Sequence, residues 1–148
     1  KDELIGEAQD RQESFLVQKK DVDGAMDSAP RPGKNLLEPF QTIAAKNKLP
    51  FKILEISNSV NMAEVHKDRG DLWQCLEGEA IFECGGQLVE GEPLKRDDGS
   101  IDEKELRAKE IRGGREFILR TGDWLWIPAG VPHKWRCEGV ARLIIIKI

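Results

Sequence analysis

The sequence predicts an all-β domain, a sandwich or barrel of short strands, on three observations. From Phe51 onward, short runs rich in β-branched and aromatic residues alternate with glycine-containing turns. The stretch from Gly122 to His133 reads as turn, strand, stop and turn: Gly122-Asp123 turns the chain, Trp124 to Ile127 extends it, and Pro128-Ala-Gly130 ends it. The longest apolar run, Leu143-Ile-Ile-Ile146, reads as a buried strand. It is far too short to span a membrane.

The expected elements follow in chain order. Residues 1 to 14 are polar and acidic, and suggest a loose helix or a disordered start. Ser14 to Gln18 is a candidate strand. Ala29-Pro-Arg-Pro-Gly33 is a turn-rich linker, and Leu36 to Ala45 is a short helix or irregular. Strands are then expected at Phe51 to Ile56, Glu64 to His66, Leu72 to Leu76 and Ala80 to Cys84, with Gly78 and Gly85-Gly86 as turns. Gly91 to Gly114 reads as a charged surface insertion. Its Ser100-Ile-Asp-Glu103 has a capping-box pattern that would start a short helix. Glu116 to Leu119, Trp124 to Ile127, Lys134 to Cys137 and Ala141 to Ile148 complete the strands.

Composition narrows the function classes. A chain of 148 residues is one domain by length and can bury a sizeable core. A net charge of −4 with no basic stripe argues against nucleic-acid binding, and no segment suggests a membrane partner. The three cysteines, Cys75, Cys84 and Cys137, are an odd set without metal-finger spacing. They point to a reducing compartment, so a cytoplasmic protein is expected. No nucleophile elbow, phosphate-binding loop or dinucleotide fingerprint is present.

The chain holds only two histidines. His133 closes the spacing G-x5-P-x-G-x2-H, carried by Gly122, Pro128, Gly130 and His133. This resembles the second motif of the cupin superfamily, whose first motif reads G-x5-H-x-H-x3-4-E-x6-G. His66 falls on the second histidine of that first motif. Asp71 stands at its glutamate, Gly78 at its closing glycine, Glu64 at its first histidine and Asn58 at its opening glycine. The resemblance covers roughly residues 51 to 148. It implies a cupin jelly-roll barrel over 48–148, with residues 1–47 as an N-terminal extension, partly helical, packing on it.

In cupins the four motif positions converge on a divalent metal. The resemblance therefore implies Glu64, His66, Asp71 and His133 as ligands. Two imidazoles and two carboxylates suit Fe, Mn, Zn, Ni or Co without choosing among them. Asp71 is one methylene shorter than glutamate, and orienting a histidine is its alternative role. Affinity should fall below pH about 6, where imidazole protonates. Strand alternation puts Trp73 and Cys75 on the face of Asp71, and Trp135 and Cys137 on that of His133. Trp73, Cys75 and Trp135 are the expected pocket lining, and Lys134 and Arg136 are expected in solvent. Trp124 and Trp126 share a face and suit a subunit interface if it points outward.

The leading expectation is a metal-dependent enzyme of dioxygenase, isomerase or lyase type, acting on a small polar carboxylate or hydroxy-keto molecule. The alternatives are a non-catalytic sugar- or metabolite-binding cupin and a metal-free, epimerase-type cupin. A homodimer is expected as well. The Leu143–Ile146 strand is apolar on both faces, so either the first 45 residues or a second subunit must cover its outer side.

Overall fold

The computed structural model describes residues 12–148. The described chain begins with helix α1 (Lys19–Ala25), strand β1 (Gly33–Leu36) and helix α2 (Phe40–Lys46). Strands β2 (Phe51–Val60), β3 (Ala63–His66), β4 (Asp71–Glu77) and β5 (Glu79–Cys84) follow. Then come β6 (Gln87–Leu88), β7 (Glu92–Lys95), β8 (Ile101–Ala108) and β9 (Ile111–Arg112). The last are β10 (Arg115–Arg120), β11 (Trp124–Ile127) and β12 (His133–Lys147). The expected loose start at residues 1 to 14 lies, up to residue 11, outside the described residues.

The fold is an all-β jelly-roll barrel organised around β12. This strand pairs antiparallel with β2, β3, β4 and β5. A register shift between Cys137 and Val140 bends it; its first residues pair with β5 and β3, its second half with β4, and β2 runs along it from Arg136 to Ile146. The two strands expected at 134–137 and 141–148 are thus one bent strand. Its inner face buries Trp135, Leu143 and Ile145 against Leu54, Ile56, Trp73, Cys75 and Phe82.

The outer side of the apolar run is covered from within the chain. Ile144 and Leu76 pack against a second cluster of Ala25, Leu37, Phe40, Ala44 and Ile53, supplied largely by α1 and α2. Phe40 is 1% exposed, and burying such a ring contributes about 2–3 kcal/mol. A buried ion pair extends this seam. Arg142 stands opposite Glu55 across β12 and β2, with Nε 3.0 Å from Oε1. Its guanidinium also donates to the carbonyls of Met26 and Ser28, and Glu55 accepts from the Arg31 amide at 2.9 Å. Of the two covers expected for this face, the N-terminal segment is the one present.

Two expectations are corrected. Ser14 to Gln18 form no strand; they lead into α1, whose first turn is closed by Asp21 accepting from the Gln18 amide at 3.0 Å. Residues 91–114 are not a surface insertion with a helix. Ser100-Ile-Asp-Glu103 enters β8, which pairs with β7 on one side and β3 on the other. The Asp98-Gly99 turn closes that hairpin, with Gly99 at φ +87°. Pairing with β3 overrides the local helix-start signal, because it completes the sheet beside His66.

Candidate metal centre

Three strand ends deliver the site. β3 carries Glu64 and His66, β4 opens on Asp71 and β12 opens on His133, whose register partner on β3 is Glu64. The loop before β12 turns at Pro128, whose carbonyl accepts from the Val131 amide at 3.2 Å. Gly130 then donates its amide to the His66 carbonyl at 2.8 Å. That bond ties the loop preceding one histidine to the backbone of the other.

The side chains converge. Asp71 Oδ2 lies 3.3 Å from His66 Nε2 and 3.4 Å from His133 Nε2. Glu64 Oε2 lies 3.5 Å and 3.6 Å from the same two nitrogens. Glu64, His66 and His133 each offer a ligand atom within 4.8 Å of the others. His66 Nε2, His133 Nε2 and Asp71 Oδ2 are all buried without a hydrogen-bond partner. Three orphaned polar atoms facing one point are costly unless something occupies it. Two donors about 2.1 Å from one ion lie about 3.0 Å apart at right angles and about 3.4 Å apart at the tetrahedral angle. The four nitrogen-to-oxygen separations, 3.3–3.6 Å, lie around the upper figure, so these donors fit a divalent cation.

The surrounding shell fixes the orientation of both imidazoles. His66 Nδ1 lies 2.6 Å from Glu105 Oε1, and His133 Nδ1 lies 3.0 Å from the Val131 carbonyl. Each Nδ1–H is committed outward, which leaves each Nε2 lone pair for the centre. Glu105 joins the site although neither motif points to it. It stands opposite His66 across β3 and β8, inside the supposed insertion. The Asp98-Gly99 hairpin signal was the clue that could have placed it on a strand.

Charge is balanced around the cluster. Arg107 lies 3.5 Å from Glu64, Arg69 lies 3.5 Å from Glu105, and Lys147 Nζ lies 3.4 Å from Asp71 Oδ1. Burial pushes the Glu64 carboxyl up, but His133, Arg107 and His66 outweigh it and hold the group at about 2. Burial also opposes ionisation of Asp71, yet the two imidazoles and Lys147 keep it well below the usual carboxylate range. Burial alone would depress His133. Asp71, Glu64 and the Val131 carbonyl reverse that and raise it to about 9.

No protein-family model and no curated protein sequence matches the chain. Solved structures do. An oxalate oxidase structure aligns with 94% of this chain and 62% of that chain, at 14% identity and a TM-score of 0.50. The fold is a cupin. A Drosophila melanogaster CENP-C cupin domain aligns with 70% of this chain and 63% of that one, at 18% identity and a TM-score of 0.46. The Clostridium difficile EutQ protein aligns with 66% of this chain and 49% of that one, at 11% identity and a TM-score of 0.40. This chain spans 62–64% of the length of the first three chains it matches.

The two glycine positions of the first cupin motif, one kept and one replaced, have local explanations. Asn58, at the opening glycine, has φ +44°, a left-handed conformation that asparagine tolerates better than other side chains. Gly78, at the closing glycine, has φ +78°, and a Cβ there would meet the Val140 carbonyl oxygen at 2.1 Å.

Beside the cluster lies a cavity of about 140 Å³. Glu64, Asp71, Trp73 and Trp135 line it, together with Lys34, Lys52 and Lys147. Two of the three expected pocket residues, Trp73 and Trp135, are therefore on its wall. Cys75 is not: its thiol lies 3.3 Å from the Gly78 carbonyl, in the core beyond Trp73. Cys137 likewise turns to the Glu79 carbonyl, at 3.4 Å. Lys134 and Arg136 reach outward to the Lys109 carbonyl and to Glu116.

Proposed function

We propose that this cupin binds one divalent metal ion through His66, His133 and Glu64, with Asp71 completing the set, and acts as an enzyme on a small polar carboxylate or hydroxy-keto molecule. The observation that carries the reading is the pair of buried, unpartnered Nε2 atoms facing two carboxylates that line a cavity. The ion would serve as a Lewis acid toward the bound oxygen or, if redox-active, in oxygen chemistry. The protein's own contribution is orientation and exclusion. Glu105 and the Val131 carbonyl hold the imidazoles, and Trp73 and Trp135 wall off water.

The charges support an anionic ligand. Glu64, Asp71 and Glu105 are offset by Arg69, Arg107 and Lys147, so a divalent ion leaves the centre positive. Stripping the protein with a chelator and adding back Mn, Fe, Co, Ni or Zn tests the proposal. Metal should raise the thermal midpoint and restore whatever turnover the untreated protein shows. Full turnover in the stripped protein would favour the metal-free reading, in which the close His133–Asp71 pair, 3.4 Å apart, works as acid and base.

We infer a homodimer as well. With the helices covering Ile144, its remaining support is Trp124 and Trp126, which are 55% and 50% exposed on the outer face of β11. Aromatic side chains are enriched at interface cores.

A further inference from the structure

The cavity has a wall that metal binding does not use. Lys34, Lys52 and Lys147 all line it, and they come from β1, β2 and β12. Strand alternation puts Lys34 on the face of Leu36, Lys52 on that of Leu54 and Lys147 on that of Ile145. Leu54 and Ile145 belong to the inner core and Leu36 packs against it. Three lysines thus ring the mouth of the cavity on the barrel's inner side, Lys34 and Lys52 exposed and Lys147 half-buried. Lys147 meets Asp71, whereas among the described residues Lys34 and Lys52 have no carboxylate within ion-pair reach.

A second, independent observation points to a ligand in the same place. Trp73 is 3% exposed and lines the cavity, and its indole Nε1–H is buried with no hydrogen-bond partner. A buried donor left without an acceptor is destabilising, so its retention beside a cationic wall suits an anionic occupant.

Resting on the metal-dependent reading above, we propose that the substrate class is a compact dianion of two or three carbons, one carboxylate at the ion and the other against Lys34, Lys52 and the Trp73 Nε1–H. The charge is the first argument. Three lysines against Glu64 and Asp71 leave one net positive charge on the lining, and a divalent ion makes it three. A monoanion leaves most of that charge unmet. Size is the second: a cavity of about 150 Å³ holds benzene, six heavy atoms, so about 140 Å³ suits six or seven. Lys34 and Lys52 are specificity-determining residues in this account and do not touch the ion's ligands.

The test compares malonate with its monomethyl ester, which removes one charge, by calorimetric titration of metal-loaded protein with metal content assayed on each sample. Malonate should bind at least tenfold more tightly, and the Lys34→Gln/Lys52→Gln double variant should lose that preference while holding the same metal. Equal affinities in the wild type, or an undiminished preference in the double variant, would overturn the lysine wall. A wild-type sample that takes up no metal overturns the metal-dependent function instead. The lysine wall is then read in the metal-free titration, where a preference lost in the double variant supports it and no preference overturns it.

Discussion

Glu105 holds His66 from 39 residues away, its Oε1 2.6 Å from the imidazole Nδ1 across the β3–β8 pair. The carboxylate fixes the tautomer and makes Nε2 a stronger donor. Glu105→Gln should therefore weaken metal binding by about 10–100-fold while the fold stays intact. Competition against a chromophoric chelator would read the constant. An unchanged constant would mean that the pair only packs the sheet.

The pH response has a direction that the cluster sets. His133 is raised from 6.5 to about 9, so in the metal-free protein its stabilising contribution is complete below pH 6.5 and is lost as pH rises through 9. Glu64 is lowered from 4.5 to about 2, so its contribution is present above pH 4.5 and is lost as pH falls toward 2. Metal requires neutral imidazole and reverses the histidine's effect. Metal affinity should climb with pH until about 9, and binding at pH 7 should release close to one proton from His133. An unperturbed imidazole would lose the metal below pH about 6; Asp71 and Glu64 move that loss upward. Titration in buffers of different ionisation enthalpy counts the proton, and zero release would contradict the scheme.

The seam between the N-terminal segment and the barrel depends on Arg142. Arg142→Met leaves Glu55, fully buried, without its cation. The expected cost is about 3–5 kcal/mol in urea unfolding. Adding Glu55→Leu should recover only part of it, because the Met26 and Ser28 carbonyls and the Arg31 amide stay unmet. Full recovery would show that those backbone bonds contribute nothing.

Trp124 and Trp126 test the quaternary expectation. If they form the interface between two copies, Trp124→Ser/Trp126→Ser should turn a dimer into a monomer by light scattering at micromolar concentration. A wild-type monomer would leave the two rings without that role.

Most of the barrel could be read from local pattern. The strands from Phe51 to Cys84 and from Glu116 onward are marked by alternation and glycine turns, which act over a few residues. His66 and His133 could be found because spacing along the chain carries them into the site. What stayed hidden is pairing between distant segments. Glu105 reaches His66 only through the β3–β8 ladder, and Ser100-Ile-Asp-Glu103 has a sequence that also starts helices. Local propensity is weak beside a completed sheet. The three lysines were passed over for a related reason. Lys34 and Lys52 are exposed strand residues, and only the pairing of β1, β2 and β12 brings them to one cavity mouth.

The account stands on the two histidines meeting at one ion. Elemental analysis of purified protein, with His66→Ala and His133→Ala alongside and their folding checked by circular dichroism, tests it most directly. The expected result is one divalent metal per wild-type chain and little or none in either folded variant. A wild-type stoichiometry that survives unchanged in both variants would contradict it.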